Sequence, residues 1–279
     1  MQSLDQTLLK RACDRIAARY SQDDFLCAEV RQRLLERLDL MRMEPAVVLD
    51  LGGATGAGLT ELQMRWPDAL HINLDWSEAM LAIPREGAQL CADGHRIPLA
   101  DNSVDIVVSN LMLPGCDNPE QVFAEVHRVL RSPGLFLFSS LGPDTLKELR
   151  FAWSRVDSRV HIHPFADMHN IGDVLVQTGF SEPVMDVEML TVTYSEVRSL
   201  VRDLRAVAAT NLAAERSRGL TTPRHWARFE KELNSRRNAA GRLPVSLEVI
   251  SGQAWIAPDG PGVPLEDGVA HFPVSRLRR

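Results

Sequence analysis

Four short stretches of this 279-residue chain carry residue types that can grip a small molecule. The first is Asp50-Leu51-Gly52-Gly53-Ala54-Thr55-Gly56, at the end of the apolar run AVVLDL (46–51). Glycines there let the backbone approach a ligand closely, and the N–H groups of a following helix then face it. By itself such a turn serves dinucleotides, phosphates and adenosyl groups alike. The phosphate-cradling spacing G-x-x-x-x-G-K-S/T is not met, because no Lys-Ser/Thr follows. The second stretch ends in Asp75, where an acidic residue accepts two hydroxyl hydrogen bonds from a ribose. The third is Cys91-Ala92-Asp93-Gly94, whose carboxylate can receive an adenine amino group, and the fourth is Ser109-Asn110-Leu111. Each alone reads equally well as a helix cap or a turn. Together they sit at the ends of four successive predicted strands, and so on one rim.

The elements that must position them follow from hydrophobic periodicity. Two amphipathic helices open the chain; the second, over 25–41, aligns Leu26, Val30, Leu34, Leu38 and Met41. Strands are predicted at 46–51, 70–75, 88–93, 104–110 and 135–140. Helices are predicted at 59–65, from Ser77 as N-cap, and over 119–130, where Pro119 starts the helix and Pro133-Gly134 follows its end. Strands alternating with helices imply a parallel sheet covered on both faces. After Ser140 the rhythm changes. Helices are expected over 142–153 and 167–178, the latter closed by Gly179. A strand over 183–194 shows one exposed face, the segment 195–240 reads as helical with a turn at 218–223, and a last strand covers 246–255. The count is seven strands in an α/β sheet, mostly parallel, whose two late members form an antiparallel edge. The units are N-terminal helices (1–44), an α/β domain (45–194), a helical cap insert (195–242), and a final strand with a Pro- and Gly-rich tail (243–279). The insert would lie above the carboxyl ends of the strands, where ligands bind in open α/β sheets.

This pattern resembles the class I S-adenosylmethionine-dependent methyltransferases over roughly 45–140. The resemblance implies a Rossmann-like fold and S-adenosyl-L-methionine rather than a nicotinamide cofactor. It places Asp50, Gly52, Gly53 and Gly56 on the methionyl side, Asp75 on the ribose, and Trp76 over the adenine face. It puts Asp93 and Gly94 at the adenine edge and Asn110 near the methionyl group. Ala54 stands where that family commonly has Gly; its methyl would crowd the turn if the position requires φ > 0. A narrower resemblance covers almost the whole chain. The stretches DRIAARYSQDDFL, SNLMLPGCDNP, LGPDTLKELR, RDLRAVAATN and GRLPVSLEVISGQAW are similar to the malonyl-acyl-carrier-protein O-methyltransferase (BioC) family of biotin synthesis. Gly115 departs from it, since an aromatic usually borders the methyl-transfer pocket there. The stretches GPDTLKELR and DLRAVAATN also resemble the complex I assembly factor 5 family, which is linked to protein arginine hydroxylation. A non-catalytic protein that keeps the fold is the third alternative.

The narrower resemblance implies a free malonyl carboxylate attacking a sulfonium methyl. Such a carboxylate is already ionised at neutral pH, with a pKa near ~4, so no general base is required. A carboxylate leaving water calls for a cationic partner, preferably a bidentate Arg, and Arg150, Arg155, Arg202 and Arg205 are the candidates. Tyr20 matches a position that closes over the cofactor. Within 196–242 there are 11 Lys and Arg against 5 Asp and Glu, on a chain of formal net charge −6. Helical spacing puts Val197, Leu200, Val201, Leu204 and Ala208 on one stripe, and Arg198, Arg202 and Arg205 opposite. That basic face is either a solvated surface or a dock for an acidic acyl carrier protein.

The overall negative charge argues against nucleic-acid affinity. No apolar run reaches the ~18 residues of a spanning helix, and the first twenty residues lack the apolar core of a secretory signal. Cys13, Cys27, Cys91 and Cys116 are scattered without C-x-x-C spacing, as expected of free thiols in a reducing cytoplasm. His161-Ile162-His163 has no third ligand at metal spacing, so no metal site is expected. Ser139-Ser140 lacks the G-x-S-x-G surround of a nucleophile elbow.

Overall fold

The computed structural model describes residues 4–83, 86–257, 265–266 and 269–270. The Pro- and Gly-rich tail expected after the last strand lies largely outside them. The strands are β1 (Val47–Leu51), β2 (Leu70–Asp75), β3 (Ala88–Cys91), β4 (Val104–Ser109), β5 (Leu130–Leu141), β6 (Ser181–Tyr194) and β7 (Leu243–Trp255). They form one sheet in the order β3-β2-β1-β4-β5-β7-β6. The first five run parallel; β7 is antiparallel to both β5 and β6, so the last strand slots inside the edge strand. A separate two-stranded pair, β8 (Leu265–Glu266) and β9 (Val269–Ala270), follows.

Central strands covered on both faces must be apolar throughout, which is why VVLDL and VDIVVS read as near-continuous hydrophobic runs. Val48, Leu49, Val104, Ile106 and Val107 are fully buried. The helix α5 (Pro119–Val129) shows how one covering element is specified. Asn118 caps it by accepting from the Gln121 N–H at 3.2 Å. Val122, Phe123, Val126 and Val129 then recur at helical spacing and are all buried. Phe123 packs edge-on to Phe136 at 5.4 Å between centroids, tying that helix to β5.

The remaining helices are α1 (Gln6–Asp23), α2 (Phe25–Glu36), α3 (Ala57–Arg65), α4 (Glu78–Leu81), α6 (Lys147–Ser154), α7 (Met168–Gln177), α8 (Val197–Ala206) and α9 (Pro223–Asn234). Three boundaries differ from the sequence expectation. The second helix tightens to a 3-10 turn at Arg37–Leu40. The helix expected from 142 starts only at Lys147, because Leu146 takes a left-handed φ of 58°. Between α8 and α9 the chain is not helical: Ala208 also turns left-handed (φ 57°), and Ala213 bridges back to Leu4. The edge strand β6 has a split character. Leu190, Val192 and Tyr194 pack into a second core with α6, α8 and α9, whereas Val187 and Met189 stand exposed.

Candidate functional site

Because β1, β2, β3 and β4 are parallel, their carboxyl ends deliver the four chemical stretches to a single edge. A cavity of about 380 Å³ opens there. Gly52, Asp75, Trp76, Asp93, Gly94 and Asn110 all line it. Asp75 ends β2 and is buried. Its Oδ1 accepts from the Ser77 N–H at 2.8 Å and its Oδ2 from the Ala54 N–H at 3.1 Å. Burial raises its pKa. A carboxylate offers about four lone-pair positions, so two acceptor positions remain open on this cavity-lining residue. Asp93 spends Oδ1 on the backbone and ring of His95, at 2.9 and 2.7 Å. On the Asn110 side chain, Nδ2 donates to the Cys27 carbonyl at 2.9 Å and Oδ1 accepts from Ser139 Oγ at 2.8 Å.

Asp50, Gly53 and Gly56 support this rim from behind and do not line the cavity. A Cβ on Gly53 would fall 2.2 Å from Asn73 Oδ1 and 2.6 Å from Asp50 Oδ2, so only glycine lets the turn cross those two side chains. Gly56, at φ 77°, is the left-handed residue preceding α3. Asp50 is buried with Oδ2 unpartnered, and Asn73 Oδ1 beside it is unpartnered too. Burial pushes the Asp50 carboxyl up to about 7, so near neutral pH it holds a proton part of the time.

Backbone strain converges on the same place. Among the described residues, six besides glycine have left-handed φ, and four of them, Ala54, Leu111, Leu146 and Ala208, line this cavity. Strained conformations of this kind persist where a binding site over-determines them. Ala54, the departure noted in the sequence, has φ 48°.

The first helix is a wall that the strand-end motifs did not reveal. Gln6, Leu9, Cys13, Ile16 and Tyr20 recur every three or four residues along α1 and all face the cavity. That spacing was the available signal. Three polar ties hold α1 over the rim: Gln6 Nε2 to the Gly115 carbonyl at 3.0 Å, Ser77 Oγ to Asp14 Oδ1 at 2.6 Å, and Ser21 Oγ with Thr55 Oγ1 at 2.8 Å. Gly115 lies directly under this lid, since a Cβ there would meet Leu9 Cδ2 at 2.7 Å. The aromatic missing at 115 is thus replaced in space by an α1 side chain. Tyr20 contacts the Cys27 thiol, and burial raises both pKa values. Burial also pushes the Cys13 and Cys116 thiols to about 12, so neither is a thiolate nucleophile.

The far side of the cavity is apolar and belongs to the insert and α6. Leu149, Trp153, Val201, Leu204, Trp226 and Phe229 form it. No Lys or Arg side chain of the described residues lines the cavity. Arg150 turns instead to the Pro143 and Thr145 carbonyls, at 2.8 and 3.3 Å, and burial lowers its pKa. Arg155 lies over Phe151, at 5.1 Å from the ring centroid. Arg198, Arg202 and Arg205 are exposed on the outer face of α8, and Arg202 is 3.5 Å from Asp203. Three histidines line the cavity, His95, His161 and His163. No cluster of His, Cys, Asp or Glu among the described residues has metal-site geometry.

A methyltransferase domain model matches residues 49–138, from β1 to β5. The chain is 43% identical to the malonyl-acyl-carrier-protein O-methyltransferase of Laribacter hongkongensis, over 95% of this chain and 94% of the relative. It is 37% identical to that of Halorhodospira halophila, over 100% of this chain and 97% of the relative. The chain belongs to the malonyl-acyl-carrier-protein O-methyltransferase family. Members of this family take their methyl group from S-adenosylmethionine, and the rim fits that group: open acceptor positions on Asp75, a glycine turn without side chains, and an indole beside them. The fold is shared more widely. A solved structure from Bacillus halodurans matches with a TM-score of 0.58 at 13% identity, over 81% of this chain and 98% of that one. The [4+2]-cyclase SpnF matches with a TM-score of 0.50 at 16% identity, over 83% of this chain and 82% of that one. Fold alone therefore does not name the reaction.

Proposed function

We propose that this chain methylates the free carboxylate of a malonyl group carried as a thioester on an acyl carrier protein. The observation that supports it most is the extent of the likeness to malonyl-acyl-carrier-protein O-methyltransferases. It runs over nearly the full chain, including the α1 lid and the insert, which lie outside the methyltransferase domain match.

S-adenosylmethionine, when bound, supplies a methyl group on a positively charged sulfur. In this reading the open positions on Asp75 accept the ribose hydroxyls, Trp76 covers the adenine, and Asp93 with Gly94 meets the adenine edge. Gly52 and the segment at Asn110 border the methionyl side. Asp50, Gly53 and Gly56 hold the turn in shape from beneath. Held by these residues, the group would supply its methyl carbon to a malonate carboxylate oxygen, and the sulfur would keep the electron pair of the C–S bond. No proton moves, so no general base is needed. The chain's own work is alignment and exclusion of water. The α1 stripe closes one side, and the apolar wall from α6, α8 and α9 closes the other. No Lys or Arg of the described residues lines the cavity, so the chain itself would place no guanidinium or ammonium against the nucleophile. Arg150, bonded to the Pro143 and Thr145 carbonyls, holds the turn before α6, and Tyr20 closes the lid side. Arg198, Arg202 and Arg205 form the outward face on which an acidic carrier protein docks.

The purified protein, given malonyl-acyl carrier protein and S-adenosylmethionine labelled in the methyl group, is expected to form a base-labile methyl ester on the malonyl carboxyl. It is also expected to restore growth without biotin in a strain lacking this step. Label in protein side chains, with none on the malonyl group, would overturn the reading.

A further inference from the structure

The lid helix α1 is held at both ends, but in different ways. At its last turn it runs into α2 with only Asp24 between them, and Val30 and Leu34 of α2 are buried in the core, so that end is fixed. Displacement of the lid is therefore largest at its first turn. There α1 meets the insert. The Asp5 N–H donates to the Leu212 carbonyl at 2.8 Å, and Leu4 bridges Ala213 in the antiparallel sense. Arg216 Nη2 donates to Asp5 Oδ2 at 2.8 Å.

Both partners of that ion pair are oriented by second bonds. Asp5 Oδ1 caps α1 by accepting from the Leu8 N–H at 2.9 Å, and Arg216 Nη1 donates to the Ala213 carbonyl at 3.0 Å. The Leu8 N–H, and after it Arg216, holds the Asp5 carboxyl below the ordinary carboxylate range. The segment that the pair grips is itself anchored. Asn211 Nδ2 donates to the Val160 carbonyl at 2.6 Å, and its Oδ1 accepts from the Ala213 N–H at 3.1 Å.

This seam is where two walls of the cavity meet. Gln6 and Leu9 line it from α1, and residues 208–212 line it from the insert. Along the rim, Ser21, Asp14 and Gln6 bond α1 to the loops after β1, β2 and β4. A ligand held between Asp75 and α1 leaves when the helix lifts, and lifting begins where displacement is largest. We propose that Asp5 and Arg216 form a latch between lid and insert, whose opening gates the entry of S-adenosylmethionine and the exit of its demethylated product. They are positioning residues that act through α1. The inference rests on the cofactor lying at this rim and is independent of the group that accepts the methyl.

Two variants break the latch and spare the helix cap. Asp5→Asn keeps an oxygen for the Leu8 N–H and loses the charge; Arg216→Met keeps the chain length and loses the guanidinium. Stopped-flow tryptophan fluorescence, with Trp76 in the cavity as reporter, measures binding and release of S-adenosylhomocysteine. Both rates are expected to rise about 10-fold in each variant, with Kd by calorimetry held within about three-fold, because a gate lies on the path in both directions. Amide exchange is expected to rise over 6–12 and to stay near wild type over 16–23. The double variant is expected to match the single ones, since each already opens the same contact. Unchanged rates would overturn the proposal even if exchange rose: the pair would be structural, and the cofactor would use another mouth. Faster rates without faster exchange would overturn it too. So would faster release at fixed association, with Kd rising in step, or additive effects in the double variant. Wild-type protein that binds neither S-adenosylmethionine nor S-adenosylhomocysteine would sink the cofactor assignment itself.

Discussion

At the scale of single residues, the rim mixes strain with buried charge, and both have measurable signs. Ala54 sits at φ 48°, where an L side chain costs roughly 1–2 kcal/mol and glycine does not. Glycine's looser unfolded state offsets part of that gain. Ala54→Gly is therefore expected to stabilise the protein by about 1 kcal/mol in urea unfolding, without weakening cofactor binding. A loss of stability would show that the methyl packs favourably. Asp75 is expected to contribute charge-assisted bonds to the ribose. Asp75→Asn should weaken S-adenosylmethionine binding by about 2 kcal/mol, roughly 30-fold by calorimetry. Asp50 titrates in the opposite direction from a salt-bridged carboxylate. Its folded pKa of about 7 lies above the ordinary value of 3.8. Between those values the folded state holds the extra proton, so stability from this group is full below pH 4 and is lost as pH rises through 7. Asp50→Asn supplies a permanent N–H donor beside Asn73 Oδ1 and is expected to flatten the pH dependence of Tm over pH 4–7. An unchanged slope would reject the assignment.

At the scale of elements, the parallel strands set the rim and α1 completes the enclosure. The helix is marked for this job by its stripe from Gln6 to Tyr20 and by side-chain ties to the loops after β1 and β2. Leu9 lies directly over Gly115. Gly115→Leu should push α1 outward, raising amide exchange along 6–23 and speeding cofactor release several-fold. Leu9→Ala in the same chain should recover much of that loss, because the two side chains compete for one volume. Additive effects would show that the two positions act independently.

At the scale of the whole molecule, the insert joins the enclosure to the outer surface. Its inner side supplies apolar wall, and its outer side carries Arg198, Arg202 and Arg205 on an otherwise acidic chain. Exposed charges of this kind steer encounter more than they hold a complex. Reversing all three to Glu should lower kcat/KM for carrier-bound malonate at least 10-fold at low salt. A free malonyl thioester should be affected less than two-fold. Equal loss on both would place these residues in folding or chemistry instead of docking.

The sequence by itself determined the parallel sheet, the antiparallel edge and the shared rim. Those follow from local rules: apolar runs for buried strands, Pro119 and Asn118 for a helix start, and glycines where side chains cannot fit. Ala54 was legible as a departure through the resemblance to the methyltransferases, which commonly have glycine there. Only the tertiary structure decided what surrounds the rim. The α1 lid is closed by contacts from Gln6 to Gly115 and from Asp14 to Ser77, more than sixty residues apart in sequence. The left-handed turns at Leu146 and Ala208 broke helices that periodicity extended, because strain there depends on packing against the cavity. Asp50, Gly53 and Gly56 were set beneath the turn instead of in the lining, and Arg150 was turned to backbone carbonyls.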